Sequence, residues 1–215
     1  MKFKFGLLIT LMLLQLPALA QDRAIGAKAG LLGIGIEYSH GFGERLAVRG
    51  GVYGSSYSFD ATESGIAYDF ELSWDSLAVA LDLHPFTGPF RLSVGLLKND
   101  NGLSAVSTPT QDIVVGDTTY TPAEVGSLIA GVGFDGTAPF LGLGWDWSKS
   151  KRFGVSLDLG IVKQGSPVVT MIGTGTLFGD PNFADDIAAE TIELRNALDD
   201  LDILPFASLG LSFRF

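Results

Sequence analysis

The chain of 215 residues contains no cysteine. Disulfide staples, thiol nucleophiles and cysteine-ligated metals are therefore excluded, and the fold must stand on packing and backbone pairing. Histidine is nearly absent as well: His40 and His84 are the two copies. Neither belongs to a G-x-S-x-G or H-E-x-x-H pattern, and both sit beside predicted short turns, so they read as interfacial or turn residues. No enzyme and no cofactor is expected. After residue 20 there is no apolar run of 18 residues or more, which rules out helical membrane spans and leaves the closed β-barrel as the other way across a bilayer. Basic residues are outnumbered, 14 against 24 acids, and the first twenty residues hold two of the lysines and no acid. The remainder lacks the basic footprint of a nucleic-acid binder, so no nucleic acid is expected as a partner.

The two ends of the chain carry the strongest patterns. Lys2 and Lys4 precede an apolar run from Phe5 to Leu16, and Ala18-Leu19-Ala20 follows as a small-x-small site. This is the layout of a secretory signal peptide, residues 1–20, cut before Gln21. An anchoring helix is the alternative, but the run is shorter than the roughly 20 residues that span a bilayer. At the other end Leu209, Leu211, Phe213 and Phe215 alternate with Ser208, Gly210, Ser212 and Arg214, the period of a strand. A soluble edge strand shares that period. Stopping on an aromatic resembles the last strand of outer-membrane barrels, and the resemblance implies that Leu209, Leu211, Phe213 and Phe215 form the assembly signal.

Between the ends, residues 21–215 read as one domain built of alternating segments. Ile34, Ile36 and Tyr38 alternate with Gly35 and Glu37; Leu46, Val48 and Val52 with Ala47, Arg49 and Gly51. Phe70, Leu72 and Trp74 form an apolar face whose parity slips at Asp75-Ser76, after which Leu77, Val79, Leu81 and Leu83 take over. The slip reads as a β-bulge. Strands carrying Phe90–Leu96, Leu141–Trp147 and Val155–Ile161 follow. With the terminal strand these make seven, and an eighth is placed at Ala24–Gly30, because single-chain bacterial barrels have even strand numbers. A bulge in one long strand is the alternative at that point. Short connections at Gly41–Glu44, Pro85–Gly88 and Ser148–Lys151 alternate with long ones at 58–65, 105–130 and 165–203, as periplasmic turns and extracellular loops do. Tyr38, Phe42, Phe86, Phe90, Trp145, Trp147, Phe153, Phe213 and Phe215 gather beside the short turns as an interfacial girdle. A lipocalin-like soluble barrel would turn the apolar face inward; here the opposite face is mainly Gly, Ser and Ala with isolated charges.

The stretches LGIGIEYSHGFGERLAVRGG, FRLSVGLL, GDTTYTPAEVGSL, APFLGLGWDW and LPFASLGLSFRF resemble the OmpW-like and CarO-like family of small outer-membrane barrels. The resemblance covers most of the chain in loose strand-and-turn patterns. It implies an all-β, transmembrane, antiparallel up-and-down barrel of eight strands in a Gram-negative outer membrane, with passage of small solutes for some members. The partners implied are outer-membrane lipid and lipopolysaccharide, periplasmic chaperones, the barrel assembly machinery and small solutes.

The predicted inward face holds Lys28, Glu37, Arg49, Glu71, Asp82, Arg91, Asp146, Asp158 and Arg214. An eight-stranded barrel has an interior just wide enough for side chains. These charges are either a packed network of pairs or the lining of a narrow path that selects solutes. The last long loop holds a helix that starts at Asp180-Pro181, with Phe183, Ile187, Leu194, Leu198 and Leu201 on one face. Its eight acids, Asp180, Asp185, Asp186, Glu190, Glu193, Asp199, Asp200 and Asp202, accompany one base, Arg195. That face is either solvated or a lid with a divalent-cation site. Two functions remain open: a narrow channel for passive uptake of small solutes, or a non-conducting structural or surface-interaction barrel with a charge-filled lumen.

Overall fold

Thirteen strands and two α-helices follow one another in the computed structural model, which describes residues 23–215 apart from 64–65, 87, 135 and 149–150. The signal peptide expected at 1–20 lies outside the described residues. In chain order the elements are β1 (Arg23–Gly30), β2 (Gly33–Phe42), β3 (Leu46–Glu63), β4 (Ile66–Leu83), β5 (Phe90–Asn99), β6 (Gly102–Thr108), β7 (Ile113–Val115), β8 (Thr118–Tyr120), α1 (Pro122–Val125), β9 (Leu128–Gly133), β10 (Gly136–Asp146), β11 (Phe153–Lys163), β12 (Val168–Gly173), α2 (Pro181–Ala197), a 3₁₀ turn (Asp199–Asp202) and β13 (Ile203–Arg214).

Eight of these strands close on themselves. The ring runs β1-β2-β3-β4-β5-β10-β11-β13, each neighbour antiparallel, and β13 returns to β1. Closure reaches the last residue, since the Phe215 amide donates to the Arg23 carbonyl at 2.9 Å. The expected eighth strand is β1, and the connection after it is the two-residue turn Leu31-Leu32. The expected short turns lie between β2 and β3, β4 and β5, and β10 and β11.

The outward face is apolar around the ring. Ile34, Ile36, Val52, Leu77, Val79, Leu81, Val94, Leu96, Leu141, Ile161, Leu209 and Leu211 are all exposed, which is tolerable when the solvent is lipid. At the short-turn rim aromatic rings meet across strands, Phe90 with Trp145 at 5.4 Å and Phe153 with Phe213 at 4.7 Å, and Phe213 stacks on Phe215 just past the end of its own strand at 6.0 Å. The girdle is formed at the expected end.

Beyond the ring the expected long loops are largely folded. β3 and β4 stay paired beyond the barrel, over Ser58↔Glu71 and on to Glu63↔Ile66. β6, β9 and β12 pair in turn onto the upper part of β4. This five-stranded crown grows directly from barrel strands: Ser76↔Asn99 in β4–β5 and Ser73↔Gly102 in β4–β6 keep a single register across the break at Asp100-Asn101. Asn101 Oδ1 holds the break by accepting the Asp75 amide at 2.9 Å and the Ser76 hydroxyl at 3.1 Å.

The expected bulge at Asp75-Ser76 is absent. β3 and β4 pair without interruption from Leu46↔Leu83 to Glu63↔Ile66. The even-numbered residues of β4 therefore face one side throughout: Phe70, Leu72 and Trp74 lie on the same side as Ala78, Ala80 and Asp82. What changes is the solvent. Within the lipid band the outer face must be apolar; above it the outer face carries exposed Asp69 and Glu71, and the apolar residues move to the inner side. Reversed polarity without reversed geometry marks the level at which the strand leaves the bilayer. Val79→Arg is accordingly expected to destabilise the folded barrel by about 2–4 kcal/mol, the cost of a guanidinium facing mid-membrane lipid. Asp69→Arg is expected to stay within about 0.5 kcal/mol, like other surface changes. Denaturant titration of the two variants in lipid checks the boundary.

Candidate functional site

Every strand of the ring sends one charged side chain into the lumen: Lys28 from β1, Glu37 from β2, Arg49 from β3, Asp82 from β4, Arg91 from β5, Asp146 from β10, Asp158 from β11 and Arg214 from β13. The period-two alternation places them there, since each shares parity with inward Gly, Ser or Ala of its own strand. Four cations meet four carboxylates.

They pair closely. Arg49 Nε donates to Asp82 at 2.9 Å and its Nη2 donates to the second oxygen at 3.2 Å, a two-pronged contact, while Nη1 donates to Glu37 at 2.6 Å. Asp158 receives Lys28 and, at 2.6 Å, Arg91. Lys28 also reaches Glu37 at 2.8 Å. Arg91 lies 3.7 Å from Asp82 and 3.9 Å from Asp146, and Arg214 donates to Asp146 at 3.3 Å. Tyr53 donates to Glu37, and Ser93 donates to Asp82 at 2.6 Å. Lys28, Glu37, Asp82, Arg91 and Asp158 are each at most 5% exposed, and such buried charges persist only when paired and hydrogen-bonded.

Glycine makes the room. A Cβ on Gly144 would stand 2.6 Å from both Arg91 Nε and Asp158 Oδ1, and one on Gly210 would stand 2.6 Å from Lys28 Cγ. An added methyl at either point would force the ion pairs apart.

Eight of the nine expected lumen charges thus come together. Glu71 does not join them: it is exposed on the outer face of the crown part of β4. A bulge at Asp75-Ser76 would turn it inward, and the uninterrupted register keeps it on the opposite side.

Above the charged layer lies a second, apolar layer that the sequence reading missed. Leu32, Leu97, Phe140 and Val162 are buried, with Tyr53, Leu204 and Phe206 packed against them. Phe140 and Phe206 meet edge to face at 6.0 Å. They nest against glycines: a Cβ on Gly95 would come within 2.5 Å of the Phe140 ring, and one on Gly160 within 2.5 Å of Phe206. The signal was present, because Tyr53, Leu97, Phe140, Val162 and Phe206 share inward parity with Arg49, Arg91, Asp146, Asp158 and Arg214. Space left between the two layers is a cavity of about 30 Å³, room for a water or two. On the short-turn side the lumen widens to a cavity of about 530 Å³ that reaches from Glu37, Asp82 and Arg91 down to His84 and Arg214.

The crown has its own packing. The Asp180 carboxylate accepts the amides of Asn182 at 2.9 Å and Phe183 at 3.2 Å, capping α2 as expected. Phe183 and Ile187 are buried with Val115, Tyr120 and Val125. The rest of the expected apolar face is less covered: Leu194 and Leu198 are half-buried, and Leu201 is exposed. Two of its acids anchor it: Asp186 accepts the Tyr120 hydroxyl at 2.6 Å, and Glu190 accepts the Gly116 amide at 3.3 Å. Among the described residues no three His, Asp or Glu side chains gather at metal-binding distance.

The Tyr120 hydroxyl holds the Asp186 carboxyl below the usual carboxylate range, and the phenol is pushed up in turn by Asp186. A lowered carboxyl contributes stability above its ordinary titration range and loses it as pH falls through the lowered value. The helix should therefore stay docked at neutral pH and loosen in acid, and Tyr120→Phe should move the Asp186 titration back up. Carbon-detected NMR of the Asp186 carboxyl reads both. In the lumen, Asp158→Ala leaves Lys28 and Arg91 without their shared carboxylate and is expected to cost about 3–5 kcal/mol, measured by urea unfolding of the refolded barrel.

No protein-family model and no curated protein matches the sequence. Solved structures do. The crystal structure of Acinetobacter baumannii CarO matches with a TM-score of 0.61 at 19% identity, over 93% of this chain and 100% of that one. A second, of Acinetobacter baumannii CarO2, matches with a TM-score of 0.62 at 17% identity, over 92% of this chain and 100% of that one. The chain therefore has the fold of CarO, a small eight-stranded barrel of the outer-membrane type.

Proposed function

We propose that this chain is a bacterial outer-membrane barrel that acts at the cell surface, with a lumen closed for stability and a folded crown as its working part. The observation that carries this reading is the stacking of two seals. Four cations and four carboxylates pair across the charged layer, and the apolar layer of Phe140, Phe206, Leu97 and Val162 lies over it. A hydrated solute crossing such a lumen must break buried ion pairs and then shed its water among aromatic and aliphatic groups, where the Tyr53 hydroxyl is already given to Glu37. In this reading the lumen charges are structural, the assembly segment Leu209–Phe215 serves the barrel machinery, and the apolar band meets lipid and lipopolysaccharide.

One observation favours the competing reading, a narrow channel for passive uptake of small solutes. The cavity of about 530 Å³ below the charged layer is a vestibule large enough for a small solute. The two readings part at the apolar layer. Single-channel recording of the refolded protein in a planar bilayer should show no discrete openings, whereas a variant that thins both layers, Phe140→Ala and Phe206→Ala together with Arg49→Ala, should conduct. Stepwise openings in the unaltered chain would refute the closed-lumen reading and return the charges to a role in solute passage.

A further inference from the structure

We propose that the free edge of β3, together with the aromatic face beside it, is a docking site for an extended, basic segment of a partner protein, added as a further strand to the crown; this rests on the surface-acting reading above.

Three independent features converge on the same hairpin. The first is the edge. β2 pairs with β3 up to Gly54, and from Ser55 to Glu63 the strand has a partner on the β4 side alone among the described residues. Nine residues of unpaired backbone extend roughly 30 Å at about 3.3 Å per residue. An edge of that length is a template for strand addition, and Ser55–Glu63 carries neither proline nor lysine to blunt it.

The second is the face. Tyr57 and Phe59 stack at 5.9 Å, Phe59 and Phe70 at 5.0 Å, and Tyr68 and Phe70 at 5.9 Å. Tyr57 is 63% exposed and Phe59 is 40% exposed. On the other half of this same sheet face, α2 and the β7–β8 hairpin lie over Leu128 and Met171. The crown thus covers one half of its inner face with its own chain and leaves the aromatic half open.

The third is charge. Residues 54–75 contain five acids and no base, and the crown stretches 54–75, 100–135 and 164–202 together hold eighteen acids and one base, Arg195. A second copy of the chain brings the same sign and is repelled. A basic strand is drawn in, and its ammonium or guanidinium groups can settle over the exposed rings of Tyr57 and Phe59. Backbone pairing, ring contact and charge each select the same occupant.

The absence of native cysteine makes a clean test. Ser56→Cys, Ser58→Cys and Thr62→Cys place single thiols along the edge, and Asp185→Cys and Asp199→Cys place them on the acidic helix and the turn after it. The probe is a nine-residue peptide of alternating Lys and Tyr with one central cysteine, offered to the refolded full-length protein in nanodiscs. Expected is disulfide capture at the β3 positions with a fixed register. A probe with proline beside its cysteine, and the Tyr57→Ala, Phe59→Ala variant, should each weaken binding about tenfold. Capture equally efficient at Asp185→Cys and Asp199→Cys would mean diffuse charge attraction and overturn the proposal. So would disulfide-linked homodimers of the Ser58→Cys variant forming in preference to peptide adducts, which would make the occupant a second copy, or no capture at all. A chain that conducts and still binds the peptide in register would sink the closed-lumen reading and leave this site standing. A silent chain that ignores the peptide would do the reverse.

Discussion

Lipid offers no hydrogen bonds, and that absence governs this molecule. A sheet crossing a bilayer must pair every strand on both sides, so β13 has to find β1, and the pairing of Ala24 with Arg214 through Gly30 with Ser208 is the condition for all the rest. Closure at eight strands then sets a narrow interior. The chain meets that limit with inward glycines, which yield volume to a few large or charged side chains. Gly144 and Gly210 stand beside the ion pairs, and Gly95 and Gly160 stand beside Phe140 and Phe206. The contents of the lumen follow from the closure rather than from any added domain.

Those contents are ordered by height. Near the short-turn end the lumen is wide and polar; across the middle, cations and carboxylates alternate over much of the ring and neutralise one another; above them the filling is apolar. A buried pair is weak evidence for net stability, since apolar groups of equal volume often serve as well, but removing one partner is costly. Asp158 sits between Lys28 and Arg91, and Arg49 between Glu37 and Asp82. The network therefore couples strands β1 to β5 with β11 and resists piecemeal change. That same coupling works against a path for ions, because a passing charge would compete with contacts at 2.6–2.9 Å.

Most of the barrel was legible in the sequence because one rule, period-two alternation against lipid, holds along each membrane segment. It located the strands, the short turns, the girdle and eight lumen charges. The rule failed where the solvent changed. Phe70, Leu72 and Trp74 alternate as well as Leu77, Val79 and Leu81 do, and a change of exposed phase looks the same in sequence whether the chain bulges or the surroundings turn from lipid to water. Glu71 was misplaced for that reason alone. The crown strands escaped notice for another: β6 and β9 are rich in Gly, Ser and Ala, β12 is only six residues long, and what makes all three strands is pairing, one onto the next, outward from β4. Which lumen charge meets which was beyond reach too, since that depends on the stagger of strands around the ring.

The unbroken register from barrel to crown has a mechanical consequence. β4 is one strand of 18 residues, half in the lipid band and half above it, and it carries β6 on the same register with which it carries β5. The crown sheet is thus an outgrowth of barrel hairpins and not a set of loops resting on the rim. Even the break at Asp100-Asn101 is tied, because Asn101 accepts both the Asp75 amide and the Ser76 hydroxyl. A surface held so firmly can present an open strand and exposed rings without collapsing onto them, because the tilt and twist of the upper hairpin are already set by the barrel beneath. Pre-organisation of that kind lowers the entropy lost when a partner binds. The closed barrel and the open edge are in this sense one design: the rigidity that seals the lumen is what keeps the edge extended.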